Sequence, residues 1–194
     1  MASRKGQRAP AEMKRALQRA AVEVVAREGI RGLTYRAVAG AAGVTTGAVQ
    51  HHFSSIDDLL RSSLDWVLEE SAENGLLGAR AGIFAGGPDV RKRFAESADI
   101  QIFQYRLVVE SAGRAELRPG VQRLYESYFG AVAKDLASIG ASPDDGLTSL
   151  VYYALDGMFL HQVADPEADP GAALDALRTL LKASGAAKTS IVDT

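Results

Sequence analysis

A pattern of two short helices joined by a glycine turn, over residues 34–53, constrains the fold of this chain more than any other feature. Thr34 is predicted to cap the first helix, because a threonine at a helix start accepts a hydrogen bond from a backbone N–H of the first turn. Gly43 suits the left-handed conformation that ends many helices. Thr45 or Thr46 is predicted to cap the second helix, which ends with this segment.

The apolar residues of this segment are predicted to face one another across the two helices. They are Val38, Ala39 and Ala42 in the first helix, Val44 in the turn and Val49 in the second helix. Helix-turn-helix proteins use such a pair to place the second helix in the major groove of DNA. An ordinary corner between two helices shows the same pattern, so the case for DNA binding depends on the surrounding sequence.

The charges of the chain are unevenly distributed. Residues 1–55 contain nine basic and three acidic side chains, which is a net charge of +6. The whole chain has a net charge of −2, so residues 56–194 carry −8. A basic N-terminal part suits a polyanion such as DNA, whereas the acidic remainder would be repelled by it.

Helices are also predicted on both sides of the pair. From Ala11 to Glu28, apolar residues recur every three or four positions; they are Met13, Leu17, Ala20, Ala21, Val24 and Val25. Residues 4–8 form a polar, basic arm in front of this helix. Residues 55–58, Ser-Ile-Asp-Asp, are typical of the start of a fourth helix, with acidic groups in its first turn.

The C-terminal two thirds of the chain are predicted to be helices separated by glycine and proline. Breaks are expected within residues 75–89 and at 113–120, and separate helices are expected to begin near Val90 and near Ile100. A helix from Val121 is expected to end at Gly140. No alternating apolar pattern occurs, so no sheet is predicted.

The part of the chain from the first to the fourth predicted helix resembles the tetracycline-repressor (TetR) family of bacterial regulators. The resemblance covers about residues 11–64 and depends on three stretches whose spacing matches together, namely 29–34, 38–49 and 52–53. Two positions differ from the common pattern of the family. A tyrosine that contacts phosphate usually stands in place of Gln50, and a lysine often stands in place of Ile56.

The resemblance implies an all-α protein with two domains. Residues 1–55 would form a three-helix helix-turn-helix DNA-binding domain, and residues 56–194 a helical ligand-binding and dimerisation domain with a disordered tail after about residue 183. In the family the last two long helices pair across a two-fold axis, which places a homodimer interface in residues 144–163 and 170–182. The apolar residues of 144–163 lie on more than one face, which independently favours an interface helix over the core helix of a monomer.

Seven residues are predicted to contact double-stranded DNA at a palindromic operator: Thr34, Tyr35, Arg36, Thr45, Thr46, Gln50 and His51. Those at 34–36 would hold phosphates, while residues 45–52 would enter the major groove. The amide of Gln50 has the geometry to pair with adenine. Residues 45–52 contain no lysine or arginine, so base reading would depend on hydroxyls, one amide and one imidazole.

The family also implies a small-molecule site among the middle helices. The candidate ligand contacts are Trp66, Phe103, Arg106, Tyr125, Tyr128, Tyr152 and His161. For any single aromatic residue, a role in the ordinary core is favoured over a ligand contact. A polar residue buried in an apolar helix needs a partner, and a ligand would be one.

Several other classes of protein are disfavoured by composition. The chain has no cysteine, and adjacent histidines such as His51 and His52 point in different directions on a helix, so no metal site is predicted. We find no nucleophile motif and no phosphate loop, and therefore expect neither an enzyme nor a cofactor. No run of about 18 apolar residues occurs, and no secretory signal, so we expect a cytoplasmic protein without a membrane span.

Together these features predict a transcriptional regulator, and most directly a repressor that a small molecule releases from its operator. An activator, or a regulator without a ligand, is an open alternative with the same fold. A helical small-molecule-binding protein or enzyme with a vestigial DNA-binding domain is the alternative from another class.

Overall fold

The computed structural model describes residues 10–74, 90–141 and 144–192, with side chains for 10–72, 96–141 and 144–183. Within these residues the chain is helical and has no strand, which confirms the predicted all-α class. The helices are α1 (Pro10–Glu28), α2 (Tyr35–Ala42), α3 (Thr46–His52), α4 (Ile56–Asn74), α5 (Val90–Ser111), α6 (Arg118–Ser138), α7 (Asp145–Ala164) and α8 (Gly171–Val192). Short 3-10 turns lie at Ile30–Gly32 and Ala115–Leu117.

The helices pack into two compact units. The head unit consists of the described residues up to Val67 together with Ile102–Val121. The body unit consists of the described residues of Leu68–Gln101 and Gln122–Thr194. Packing therefore divides α4, α5 and α6 between the two units. The predicted boundary between a DNA-binding domain (residues 1–55) and a ligand-binding domain (residues 56–194) is a functional division, and it stays a prediction.

The core of the head unit is built on one face of α1. Leu17, Ala21 and Val25 in this helix are completely buried, and α1 packs against α2, which packs against α3. Val38 of α2 and Val49 of α3 are also completely buried. The predicted apolar faces of the helix pair are therefore its packing faces.

The ends of α2 and α3 are fixed by local hydrogen bonds. The Thr34 hydroxyl accepts from the Ala37 N–H at 3.1 Å, and the Thr45 hydroxyl accepts from the Ala48 N–H at 3.2 Å. Gly43 has the predicted left-handed conformation, with φ of 67°. Thr45, and not Thr46, is thus the cap of α3.

The start of α4 is capped by two serines and one carboxylate. The Ser55 hydroxyl accepts from the Asp58 N–H at 3.0 Å, and the Asp58 carboxylate accepts from both the N–H and the hydroxyl of Ser54 at 2.9 Å. These two bonds, the one from the backbone first, lower the pKa of Asp58. A lowered pKa stabilises the fold at pH values above the ordinary carboxyl range, and this contribution is lost as the pH falls through the lowered value.

Three helix boundaries differ from the prediction. Residues 90–111 form the single helix α5, because no glycine or proline interrupts them. Helix α6 begins at Arg118, inside the predicted loop, since Pro119 in a first turn needs no N–H partner. Helix α8 continues to Val192, past the predicted start of disorder. The predicted break at 75–89 lies outside the described residues.

The connection after α1 requires glycine for a backbone reason. Gly29 has φ of 81° and ψ of 172°, a region that other residues avoid. A Cβ atom there would also lie 2.7 Å from Nη1 of Arg106. Gly40, in contrast, lies within α2 with open space around its missing side chain.

We expect Gly29→Ala to lower the free energy of unfolding by about 1–3 kcal/mol, because alanine is strained in this conformation. The matched control Gly40→Ala should raise it by up to about 1 kcal/mol, since alanine favours the helix. Chemical denaturation at a fixed protein concentration measures both. Equal effects of the two substitutions would contradict the assigned conformation of Gly29.

Candidate functional site

Helix α3 presents a polar face to solvent. Its Val49 is completely buried, and this holds the opposite side of the helix outward. The outward side chains on or beside α3 are Thr45, Thr46, Gln50 and His51, all of which are exposed. We call this set the α3 face. It has the arrangement with which a recognition helix meets base edges.

The threonines of the predicted set already have structural roles. Thr34 and Thr45 accept a hydrogen bond as caps, so each retains its hydroxyl proton for donation. A phosphate oxygen accepts hydrogen bonds, and both residues are exposed. Capping is therefore compatible with the predicted contacts.

Tyr35 has a different position from the other predicted phosphate contacts. Its hydroxyl donates to the Phe53 carbonyl oxygen at 3.2 Å, which ties the start of α2 to the end of α3. Its one donated bond is therefore used inside the protein. The geometry favours a positioning role for Tyr35, and a direct contact with DNA stays a prediction.

The positive charge around α3 is sparse. Arg36 is exposed on α2 and is the only lysine or arginine in residues 34–53. The Lys14 ammonium of α1 lies 5.9 Å from the centre of the Phe53 ring, at the C-terminal end of α3. Lys14 was not among the predicted contacts, because its proximity to α3 depends on tertiary packing.

The two histidines at the end of α3 pack on each other. The ring centres of His51 and His52 are 5.4 Å apart in an edge-to-face arrangement, and His52 lies 6.5 Å from Phe53. Among the side chains that the structure describes, no group of three or more metal-ligating residues occurs. His51 is exposed and His52 is half-buried, so His51 is the more accessible imidazole of the two.

The body unit contains a second candidate site, a group of aromatic rings that we call the aromatic cluster. It consists of Tyr125, Tyr128 and Phe129 from α6 and Tyr152 and Tyr153 from α7. The centre of the Tyr152 ring lies 4.8 Å from that of Phe129 and 5.9 Å from that of Tyr125. The Tyr128 and Tyr152 rings are stacked at 6.0 Å.

The seven predicted ligand contacts are divided between the two compact units. Tyr125, Tyr128 and Tyr152 belong to the aromatic cluster, whereas Trp66, Phe103 and Arg106 belong to the head unit. Trp66 and Phe103 are buried in the head unit, and the Arg106 guanidinium lies beside Gly29. His161 is exposed on the last turn of α7.

Two members of the cluster, Phe129 and Tyr153, are not among the predicted ligand contacts. Phe129 lies four residues after Tyr125, which places both on one face of α6 and is a signal that the sequence contains. Tyr153 is 61% exposed, and only its contact with Phe129 at 6.2 Å assigns it to the cluster.

Burial governs the chemistry of the cluster's phenols. It raises the pKa of Tyr152 above the ordinary tyrosine value, and the nearby charge of Asp156 raises it further. The same two causes, in the same order, raise the pKa of Tyr125. Both phenols are therefore neutral at physiological pH.

Two family models match most of the chain. One describes bacterial regulatory proteins of the tetR family and matches residues 17–62, and the other describes a tetracyclin repressor-like C-terminal domain and matches residues 88–183. CymR, a transcriptional regulator of Pseudomonas putida, is 30% identical over 153 residues, which cover 72% of this chain and 73% of CymR. The chain belongs to the TetR family. It is therefore a transcriptional regulator by family.

Other proteins resemble parts or most of the chain. The transcriptional repressor KstR2 of Mycobacterium tuberculosis is 41% identical over 51 residues, which are only 24% of this chain and 26% of KstR2. A TetR-family regulator from Rhodococcus sp. has the same fold, with a TM-score of 0.67, 20% identity and coverage of 90% of this chain and 99% of that one. The multidrug binding protein EbrR, solved with ethidium, gives a TM-score of 0.59, 22% identity and coverage of 87% and 98%.

No described helix of this TetR-family protein is long and apolar enough to cross a membrane.

Substitutions at Gln50 and Arg36 test which side chain recognises a base and which contacts a phosphate. We expect Gln50→Ala to weaken binding to the preferred DNA sequence by about 1–3 kcal/mol and to relax the preference at one base pair, because one bidentate amide contact is lost. Arg36→Ala should weaken binding to preferred and random DNA alike, since a phosphate contact carries no sequence information. Fluorescence anisotropy with both DNAs measures the ratio. If Gln50→Ala left that ratio unchanged, Gln50 would contact the backbone, and Thr46 and His51 would carry specificity.

Proposed function

We propose that this TetR-family protein is a homodimeric repressor that binds a palindromic operator and is released from it by a small molecule. The observation that carries the DNA-binding part is the exposed polar α3 face opposite the buried Val49. The protein would act by binding and not by catalysis. This role would place it in the cytoplasm, where bacterial DNA lies.

Two similarities support repression and release by a ligand. KstR2, which matches this chain over 51 residues, is named a transcriptional repressor. EbrR shares the fold and is a multidrug binding protein solved with ethidium. The aromatic cluster in the body unit is the described surface best suited to a small organic molecule, because it combines ring surfaces with phenol hydroxyls.

An exposed apolar stripe on α7 supports the dimer. Its members alternate in spacing between four and three residues: Gly146, Leu150, Tyr153, Gly157, Leu160 and Ala164. Leu150 is 65% exposed and Leu160 is 53% exposed, which is costly for side chains of this size in water. The spacing is that of helices packed along a common seam.

Helix α8 carries a similar stripe. Its exposed apolar members are Ala173, Ala176, Leu180 and Ala183, again three and four residues apart, while Leu174 and Leu181 on the other side are buried. Small residues allow two helix backbones to approach closely. The stripes of α7 and α8 from two copies would form a four-helix interface over the proposed residues 144–163 and 170–182, with Ala164 and Ala183 one residue beyond each range.

The coupling between effector and DNA would pass through α4. This helix begins directly after α3 and belongs to both compact units. Arg114, in the connection between α5 and α6, contacts Asp57 of the first turn of α4 at 2.9 Å and Glu116 at 2.9 Å. A ligand that moves these helices would therefore shift the start of α4, and with it α3, as a change in population between two states.

Selection from a pool of random DNA duplexes tests the proposed function directly. We expect a palindrome whose half-site centres are about 34–36 Å apart, or a multiple of that spacing, because two-fold symmetry in the protein is mirrored in its site. Binding should weaken steeply with salt, with a log–log slope of roughly −0.9 per phosphate neutralised.

Selected sequences without symmetry would contradict the dimeric mode of binding. A flat response between low and moderate salt would contradict the role of the basic N-terminal part. In transcription in vitro from a promoter that overlaps the selected site, adding the protein should reduce transcript. An increase would identify an activator.

The interface is tested by a double substitution, Leu150→Glu with Leu180→Glu. We expect a monomer in sedimentation, because each carboxylate would be buried without a partner at a cost of several kcal/mol. Val109→Glu is the matched control, since Val109 is 74% exposed on α5, outside the proposed interface. A dimer that survived the double substitution with unchanged affinity would place the interface elsewhere.

A further inference from the structure

We propose that Lys14 of α1 binds a DNA phosphate at the junction of α3 and α4, and so anchors the α3 face on the duplex. This inference rests on the proposed function, because it adds a residue to the DNA-binding surface. It follows from two features of the head unit, the contacts that hold Lys14 at this junction and the small number of cations on the helix pair itself.

Two contacts place the start of α1 beside the end of α3. The Lys14 ammonium lies 5.9 Å from the centre of the Phe53 ring, three residues before α4 begins. One turn further along α1, the amide of the buried Gln18 donates to the backbone oxygen of Ser62 at 2.9 Å and to its hydroxyl at 2.8 Å. Gln18 thus fixes α1 to α4, and this holds Lys14 at the junction of α3 and α4.

Phe53 connects Lys14 to the elements that face DNA in the proposed function. This residue ends α3, and its backbone oxygen accepts the Tyr35 hydroxyl from the start of α2 at 3.2 Å. Its ring is buried, so it gives the side chain of Lys14 a fixed surface to lie on. Lys14 is exposed and an ammonium has three N–H donors, so it can donate to a phosphate oxygen while it stays near the ring.

The helix pair supplies little of the positive charge that DNA binding requires. Arg36 is the only lysine or arginine in residues 34–53, and Asp57 and Asp58 follow in the first turn of α4. A cation that neutralises a phosphate releases counterions and strengthens binding, whereas a carboxylate near a phosphate repels it. A cation at the junction of α3 and α4 would offset this repulsion, and Lys14 supplies one there.

The salt dependence of DNA binding separates a phosphate contact from the ordinary structural explanation, in which Lys14 only stabilises the head unit through Phe53. Lys14→Met keeps an apolar side chain beside the ring and removes the charge. We expect binding of the full-length protein to preferred and random DNA to weaken alike, about tenfold at low salt. The log–log salt slope should become shallower by roughly 0.9 for each Lys14 in the complex, because each would neutralise one phosphate. An unchanged slope would overturn the proposal, even if the affinity fell.

Arg19→Met is the matched control. Arg19 is also an exposed cation of α1 beside an aromatic ring, 5.8 Å from the centre of the Trp66 ring. Trp66 lies about 15 Å along α4 from its start, so this pair is away from the α3 face. We expect Arg19→Met to leave the salt slope unchanged and Lys14→Arg to keep it, because the charge at the junction is retained in both. Equal decreases in slope with Arg19→Met and Lys14→Met would contradict the assigned role of Lys14. Chemical denaturation confirms that each variant is folded.

The protein without substitutions separates this inference from the proposed function. If it bound its selected DNA with the expected salt dependence and Lys14→Met kept the full slope, DNA binding would stand and the assignment of Lys14 would be wrong. If it bound no DNA, the proposed function would fail and the inference with it.

Discussion

The packing of α1 against α2 determines the rest of the head unit. Helices of eight and seven residues, such as α2 and α3, are not stable alone in water. They form here because Val38 and Val49 are buried in a core whose largest face is supplied by α1. The threonine caps and the left-handed Gly43 then fix the direction of each helix, and the polar side of α3 is left outward as a consequence.

Helix α7 combines two roles on two sides. Tyr152 lies at the centre of the aromatic cluster and is buried, whereas the next residue, Tyr153, lies at the edge of the cluster and also on the exposed stripe that we assign to the dimer. Because successive residues on a helix point about 100° apart, one helix serves both surfaces. A ligand at the cluster and a partner at the stripe would therefore act on the same rigid element, which gives effector binding a direct route to the geometry of the dimer.

Features set by neighbouring residues could be predicted from the sequence. The cap at Thr34, the left-handed Gly43 and the end of a helix near Gly140 depend on local hydrogen bonds and on φ, and each lies where the pattern indicates. The start of α6 could not be predicted, because Pro119 and Gly120 are residues typical of a loop. In the structure Gly120 lies against the side chain of Leu64, a tertiary contact that the sequence does not show. The membership of the aromatic cluster could not be predicted either, since it depends on which helices meet. Trp66 and Phe103 belong to the head unit, and the cluster instead includes Phe129 and Tyr153.

Under the proposed function, the head unit presents the α3 face to DNA. Hydrogen exchange of the full-length protein, with and without its selected DNA duplex, tests this most directly. We expect DNA to slow the exchange of backbone amides in residues 34–36 and 45–52, while the amides of the buried face of α1 change little. Slower exchange confined to other segments, with residues 45–52 unaffected, would contradict it.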